Sequence, residues 1–297
     1  MKILLLGPNG QVGWELQRAL APLGDLVAAD RHHDADADFS RPERLAALVQ
    51  RVAPQVIVNA AAHTAVDKAE SEPEQAHAVN ASAPGVLARE AQALGAWLVH
   101  FSTDYVFDGS GHLPRAENAP TRPLSVYGRS KLEGEQRIAA SGCRHLIFRT
   151  SWVYAARGGN FARTMLRLAT ERDSLNIIND QIGAPTGADL LADVTAHALR
   201  AAMARPELGG IYHCVAAGET SWHGYAQFVI EWARQNGQAV RVPPDRVMAI
   251  PSRDYPSPAQ RPLNSRLDTT RLRSEFGLSL PDWKAGVERM LREVHDR

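Results

Sequence analysis

The stretch Lys2-Ile3-Leu4-Leu5-Leu6-Gly7-Pro8-Asn9-Gly10-Gln11-Val12-Gly13 decides the fold. An apolar run of strand length is followed by three glycines at even spacing, and Trp14, Leu16, Ala19 and Leu20 then recur with helical period. A glycine turn between strand and helix is where a dinucleotide pyrophosphate meets a helix N-terminus, whose free N–H groups and positive dipole end favour an anion. In that setting Gly7 permits the tight turn, Gly10 lets the backbone approach the pyrophosphate, and Gly13 lets the helix pack closely on the strand. The first expectation is a nucleotide-binding α/β domain.

Outward from this motif, a second apolar run at residues 26–29 ends in Asp30-Arg31. The two neighbours point to different cofactors: Asp30 accepts from a free ribose 2′-hydroxyl and favours NAD, whereas Arg31 pairs with the 2′-phosphate of NADP. Asp38-Phe39 follows an Asp-rich loop and reads either as a pair of adenine contacts or as a solvated turn. A third run at 56–58 leads into Asn59-Ala60-Ala61-Ala62, small residues against which a cofactor can lie, and then into His63-Thr64 at the carboxyl end of the strand. Residues 74–94 read as one long crossover helix, with His77 and Asn80 as polar members of unassigned role. Runs at 97–101 and 145–148 lead into Ser102-Thr103-Asp104-Tyr105 and Arg149-Thr150-Ser151-Trp152.

Strands alternating with helices at this spacing predict an α/β fold, a doubly wound parallel (Rossmann) sheet, with Ser102, Thr103 and Trp152 on its ligand edge. Beyond Tyr154 the alternation loosens. A helix is expected from Asn160 to Thr170, strands at 176–180 and 210–215, and a helix at 189–204 between them. Pro243, Pro244, Pro251, Pro256, Pro258 and Pro262 speak against a continuous sheet in the tail, which ends in a helix at 283–294. The expected division is a dinucleotide-binding domain of residues 1–150 and 176–217, and a smaller substrate lobe of residues 151–175 and 218–297.

The candidate chemistry lies in Val126-Tyr127-Gly128-Arg129-Ser130-Lys131, which places a phenol and an ammonium four residues apart on one face of a helix's first turn. A tyrosine near its reference pKa of about 10 is a weak acid at neutral pH. A neighbouring Lys⁺ stabilises the phenolate and brings the group toward working range, so the pair can relay a proton to or from a substrate oxygen. Alone the spacing equally suits an interfacial Tyr beside a solvated Lys; the nucleotide motif is what favours chemistry.

Composition narrows the partners. Lys and Arg number 33 against 33 Asp and Glu, so nothing suggests a nucleic-acid or membrane surface, and any phosphate must be met locally. The two cysteines, Cys143 and Cys214, sit in or beside apolar runs with no second thiol or His at metal-ligand spacing, and read as core thiols. The chain begins with a strand instead of a signal peptide and has no apolar run of membrane length, so a cytoplasmic location is expected.

Gly7, Gly10 and Gly13 after the first strand, Ser102-Thr103 after the fourth, and Tyr127 with Lys131 together resemble the extended short-chain dehydrogenase/reductase superfamily. Further strings narrow the likeness: His63-Thr64-Ala65-Val66-Asp67, Ser102-Thr103-Asp104-Tyr105-Val106-Phe107, Thr150-Ser151-Trp152-Val153-Tyr154, Asn179-Asp180-Gln181-Ile182-Gly183-Ala184-Pro185-Thr186 and Arg261-Pro262-Leu263-Asn264-Ser265. These are similar to the dTDP-4-dehydrorhamnose reductase family, and the likeness covers essentially the whole chain. It implies hydride transfer from NADPH or NADH to the 4-keto group of dTDP-4-dehydro-L-rhamnose, supplying L-rhamnose for bacterial surface polysaccharide such as lipopolysaccharide O-antigen. It implies Tyr127 as proton donor, Lys131 on the nicotinamide ribose, and Thr103 tuning the tyrosine. Gly10, Gln11, Val12, Asp30, Asp38, Phe39, Ala62, His63, Thr64 and Phe101 would line the cofactor, and Thr103, Asp104 and Trp152 would touch the nucleotide sugar. It further implies a homodimer bridged by Mg²⁺, for which Glu15, Asp189 and Glu293 are the matching acids, although an aspartate stands at 189 where the pattern has glutamate and the three also read as solvated surface. Other nucleotide-sugar reductases or epimerases share the Thr, Tyr and Lys constellation, and a non-catalytic dinucleotide-binding subunit would share the fold.

Overall fold

The computed structural model describes residues 1–295. In chain order the large lobe begins with β1 (Lys2–Leu6), α1 (Gln11–Leu20), β2 (Asp25–Ala29), α2 (Leu45–Val52) and β3 (Val56–Asn59). Next come α3 (Val66–Ser71), α4 (Pro73–His77), a π-helical turn (Ala78–Ser82), α5 (Ala83–Leu94), β4 (Trp97–Thr103), α6 (Val126–Ala140) and β5 (Arg144–Thr150). The rest comprises β6 (Val153–Tyr154), α7 (Phe161–Glu171), β7 (Leu175–Ile178), β8 (Ile182–Gly183), β9 (Thr186–Gly187), α8 (Ala188–Ala204), β10 (Gly210–His213), β11 (Thr220–Ser221), α9 (Trp222–Gln235), β12 (Val247–Ile250), α10 (Thr270–Phe276) and α11 (Trp283–His295).

Six parallel strands form the central sheet in the order β10-β5-β4-β3-β1-β2. The reversal of winding between β1 and β3 is the switch point at which such sheets bind ligands. Because helices cover both faces, the central strands bury apolar residues on both faces and not on one alone. Ile3, Leu5, Val58, Val99 and Phe148 pack toward α1 and α8, while Leu4, Leu6, Ile57, Leu98 and Ile147 pack toward α2, α5 and Ile138 of α6. Cys143 and Cys214 are free and buried, as composition led one to expect.

Two segments carry more than the sequence reading gave. Residues 74–94 are helical throughout, as the crossover reading expects, but Pro73 starts the run and a π-helical turn shifts the face before α5, an irregularity that apolar periodicity does not register. Residues 176–180 do not join the large sheet, since β7 pairs in parallel with β12, a strand that fits between Pro244 and Pro251. The physical reason is legible in burial: Leu175 and Ile177 are buried while Asn176 is exposed, the alternation of a sheet covered on one side only. The small lobe has its own core, in which Met165, Leu175, Tyr225, Val229, Val247, Trp283, Val287 and Leu291 meet.

Candidate active site

The glycine loop divides its work as the motif requires. Gly7 has φ +77°, and a Cβ there would lie 2.7 Å from Ala61 N, so the loop is drawn tight against the end of β3. A Cβ on Gly13 would lie 2.0 Å from Gly7 O, so α1 sits directly on the turn. Gly10 is different: a Cβ there meets nothing nearer than Gly7 O at 3.6 Å, and the residue faces open space. It also precedes α1 without a side-chain cap, leaving the helix's first N–H groups toward the groove. Gly13→Ala is therefore expected to destabilise the chain by about 1–3 kcal/mol or more through overpacking. Gly10→Val should leave the melting temperature nearly unchanged and weaken dinucleotide binding; equal melting losses for the two variants would refute this division.

Two cavities meet over this loop. One of about 390 Å³ is lined by Gly7, Gly10, Asp30, Arg31, Asp38, Phe39 and His63, among others. The other, of about 420 Å³, is lined by Gln11, Val12, Thr64, Phe101, Thr103, Asp104, Tyr127, Lys131 and Trp152, with Ser102 and Trp222 beside them. Gly10, Ala60 and Ala62 belong to both, which makes one groove along the carboxyl edge of the sheet. The groove thus gathers the sequence-predicted cofactor and substrate residues, except Gly13, which packs beneath it. Buried polar atoms without partners among the described residues include His63 Nδ1, Ser102 Oγ and Thr150 Oγ1, groups that gain from a polar ligand. The uncapped helix start, the open face at Gly10 and these atoms fit a dinucleotide.

At the first end, the Asp30 carboxylate accepts from Asn9 Nδ2 at 2.9 Å and from His32 N at 2.7 Å, and lies 2.9 Å from His33 Nδ1. Arg31 is exposed, and its charge acts on the Asp38 carboxyl. Burial raises the Asp38 carboxyl, yet its hydrogen bonds from Ser40 and the charges of Arg31 and Arg41 hold it below the usual carboxylate range.

At the other end, Thr103 closes β4, and its backbone is fixed opposite Thr150 in the β5 ladder. Its hydroxyl donates to Asp104 Oδ1 at 3.0 Å, accepts from Tyr105 N at 3.2 Å, and meets the Tyr127 phenol. Helix α6 carries Tyr127 and Lys131. It is capped by Ser125, held by Val126 N donating to Glu70 Oε1 at 2.8 Å, and pinned to β5 by a buried bidentate pair in which Arg149 donates to Glu135 at 2.9 and 2.6 Å. Asp104 is buried, which pushes its carboxyl up to about 6.

The expected electrostatics of the pair are corrected in this free chain. Burial, with a further push from Asp104, raises Tyr127 to about 12, against the lowering effect of its Thr103 hydrogen bond. Lys131 is turned under the groove, where Nζ donates to Phe101 O at 2.6 Å and lies 3.2 Å from His100 Nε2, and burial lowers it to about 8. Sharing a helical face does not bring the ammonium onto the phenol when a carbonyl and an imidazole lie closer.

Several residues in this arrangement carried no local sequence signal. Trp222 stacks on Trp152 with centroids 3.7 Å apart and donates from Nε1 to Gln181 Oε1 at 3.1 Å. Trp152 itself has φ +49°, a left-handed conformation that a bulky residue adopts only when its surroundings compel it. Asn80, in the π-helical turn, accepts from His63 N at 2.9 Å and donates to His63 O and Ser130 Oγ, each at 3.0 Å, tying the His63 loop to α6. In the sequence it stood only as a polar member of the crossover helix, of unassigned role.

Glu15, Asp189 and Glu293 do converge, on a cavity of about 20 Å³, but they share it with Arg289, whose guanidinium pairs with Asp189. Burial and the neighbouring Asp189 raise the Glu15 carboxyl, with Glu293 adding to the effect. Among the described residues no cluster of three or more His, Cys, Asp or Glu is spaced to hold a metal. A guanidinium already supplies the countercharge, so the magnesium expectation finds no support and no step below passes through a metal.

A doubly wound sheet with a glycine-rich phosphate turn, and a Thr, Tyr and Lys set on the same edge, defines a dinucleotide-dependent oxidoreductase of the extended short-chain kind. Residues 1–296 match the family described as RmlD substrate binding domain, and the chain belongs to that family. It is 57% identical to a dTDP-4-dehydrorhamnose reductase of Shigella flexneri over 99% of this chain and 98% of that protein. Among solved structures it resembles a dTDP-4-dehydrorhamnose reductase of Clostridium acetobutylicum, with TM-score 0.88, 34% identity and coverage of 99% of this chain and 100% of that one. It also resembles one from Bacillus anthracis in complex with NADP, with TM-score 0.87, 32% identity and coverage of 98% and 99%.

Proposed function

We propose that this chain reduces the 4-keto group of dTDP-4-dehydro-L-rhamnose to give dTDP-L-rhamnose, the last step of dTDP-L-rhamnose biosynthesis, with NADPH as reductant and NADH as a second one. The observation that carries this reading is the placement of Thr103, Tyr127 and Lys131 in the groove that begins at the glycine loop; membership of the family and the names of its close relatives support the substrate. When bound, the reduced dinucleotide supplies a hydride to the carbonyl carbon. Tyr127 gives its phenolic proton to the carbonyl oxygen as alkoxide character develops there, and the Thr103 hydroxyl orients the phenol. Lys131 lines the groove from beneath, where the resemblance puts the nicotinamide ribose, the N–H groups of α1 receive the pyrophosphate, and Trp152 with Trp222 gives the sugar nucleotide an aromatic wall.

The large lobe is the cofactor-binding part of this reading, and the lobe built on α7, α9 and α11 closes over the substrate. The resemblance extends the reading to homodimer assembly; among the described residues no helix is long and apolar enough to cross a membrane. The test follows the cofactor absorbance with dTDP-4-dehydro-L-rhamnose and each reductant. Stoichiometric loss of reduced cofactor is expected. Interconversion of sugar without net loss would indicate an epimerase, and dinucleotide binding without turnover a regulatory subunit.

Cofactor choice has its own outcome. Asp30 and Arg31 both line the adenine end, and a charge-assisted contact from Arg31 to a 2′-phosphate and the repulsion of that phosphate by Asp30 are of similar size. The ratio of kcat/KM for the two reductants is expected within about a hundredfold of unity, each 1.4 kcal/mol of imbalance being about tenfold. Arg31→Ala should cut kcat/KM for NADPH by about tenfold and leave NADH nearly unaffected. Equal losses with both would show that Arg31 does not reach the 2′ position.

A further inference from the structure

Beneath the groove three buried side chains form one hydrogen-bonded chain: Asn59 at the end of β3, His100 within β4, and Lys131 on α6. The orientation of Asn59 is fixed, because its Oδ1 accepts from Ala61 N at 3.0 Å. Its NH₂ group therefore faces His100 Nδ1 at 3.0 Å. An amide NH₂ only donates, so Nδ1 presents its lone pair and the proton of a neutral imidazole sits on Nε2. That N–H points at Lys131 Nζ, 3.2 Å away. An ammonium has no lone pair to receive it; an amine has one, and keeps hydrogens for Phe101 O at 2.6 Å.

We infer that the Asn59–His100–Lys131 chain shifts Lys131 toward the amine in the free protein, and that His100 is a positioning residue which lowers the lysine's proton affinity by donating from Nε2–H to Nζ. Protonating Lys131 would set donor against donor. Moving the imidazole proton to Nδ1 would set it against the Asn59 NH₂, and turning Asn59 over would set that NH₂ against Ala61 N–H. Each escape leaves a buried donor unpaired.

The other charged groups around the site do not reverse this assignment. Glu135, on the same helix, favours the charged lysine, but it is bound on both oxygens by Arg149 of β5. Burial, then the Lys131 charge and His145 of β5, disfavour a charged imidazole at His100. Asp104, after β4, faces Thr103 and Tyr127. On the outer side of α6, Glu70 of α3 is taken up by Val126 N, and Glu133 by Arg137 and His77. Burial is the main cause that pulls Lys131 down, and it acts in the same direction as the hydrogen-bond pattern.

The kinetic consequence rests on the reductase reading, whereas the charge assignment does not. A Lys131 that holds its proton less tightly exerts less pull on the Tyr127 proton, so the phenol stays loaded as an acid, the state a reduction requires. Once that proton has gone to the carbonyl oxygen, the phenolate's charge raises the proton affinity of Lys131, and the two groups titrate as a pair.

The test uses the full, ligand-free chain. The sequence has four lysines, Lys2, Lys68, Lys131 and Lys284, so ¹³Cε-lysine NMR gives few signals, and Lys131 is assigned by its loss in Lys131→Met. The expected midpoint for Lys131 is about 8, against about 10.4 for an unperturbed lysine. Nitrogen-15 histidine spectra should show His100 as the neutral Nε2–H tautomer. His100→Gln offers Nζ a carbonyl acceptor in place of a donor and should raise the proton affinity of Lys131 about tenfold or more. A wild-type midpoint at the unperturbed value, an Nδ1–H tautomer, or an unmoved midpoint in a folded His100→Gln overturns the inference. Should that variant fail to fold, the two wild-type measurements decide. Failure of the reductase reading would instead appear as absent cofactor turnover, with these spectra unchanged.

Discussion

Replacing Tyr127 by Phe lowers kcat by about 10² to 10⁴, the usual worth of general acid catalysis, while the chain folds and binds dinucleotide as before. The substitution removes one hydroxyl and nothing else. The ring keeps its edge-to-face contact with Tyr105, at 5.5 Å and 78°. Thr103, which loses the phenol, retains Asp104 Oδ1 and Tyr105 N as partners, so no orphaned hydroxyl is left behind. Binding and chemistry should therefore separate: dinucleotide Kd by titration and the melting temperature stay near wild type, and the single-turnover rate falls. A variant that keeps most of its rate would place the proton donor elsewhere, with Asp104, pushed up to about 6, the next acid in the groove. A parallel rise in Kd would mean that the ring hydroxyl holds the cofactor and does not act on the carbonyl.

How much of this was legible in the sequence follows from which forces act locally. The glycine turn was readable because its constraints are backbone ones: a positive φ at Gly7 and a close contact at Gly13 admit no other residue, so the motif states its geometry. The central strands were readable as unbroken apolar runs for the equally local reason that both faces are covered. The same rule shows why the sheet to which the strand at 176–180 belongs was not legible. Its partner lies at 247–250, some seventy positions later, and nothing nearby names that partner.

The site divides along the same line. Tyr127 and Lys131 share a helix, and their types and spacing were enough to nominate them. What each does in the free chain was not legible, because it depends on His100 and Phe101 from another strand and on the depth of burial. Trp222 reaches the groove from the small lobe and is tied in by stacking on Trp152 and by its hydrogen bond to Gln181, contacts between segments far apart in sequence. The three acids placed at a metal site met as expected, yet the guanidinium among them came from Arg289, a position the acidic pattern does not mention.

Removing Glu135 should be the most damaging single change to stability outside the apolar core. Glu135 and Arg149 are both almost wholly buried, and each carboxylate oxygen takes a guanidinium hydrogen bond. Such a pair adds little over a well-packed apolar pair, because desolvation offsets the attraction, but breaking it leaves a charge in the interior at a cost of about 3–5 kcal/mol. Arg149 would keep only Glu117 O at 3.1 Å and the Phe107 ring at 5.2 Å, neither of which carries a compensating charge. Against a typical stability of about 5–15 kcal/mol, Glu135→Ala should lower the melting temperature by about 10 °C. The double variant Glu135→Leu with Arg149→Met removes both charges together and should recover most of that loss. Function responds separately, since Glu135 is also the charge that favours protonated Lys131. Even where the double variant regains its melting temperature, Lys131 should hold its proton less tightly than in wild type. Thermal unfolding of the two variants beside the Lys131 titration distinguishes these effects. A single variant within about 1 kcal/mol of wild type, or a double variant no better than the single, would show that the pair does not pin α6 to β5 as its geometry indicates.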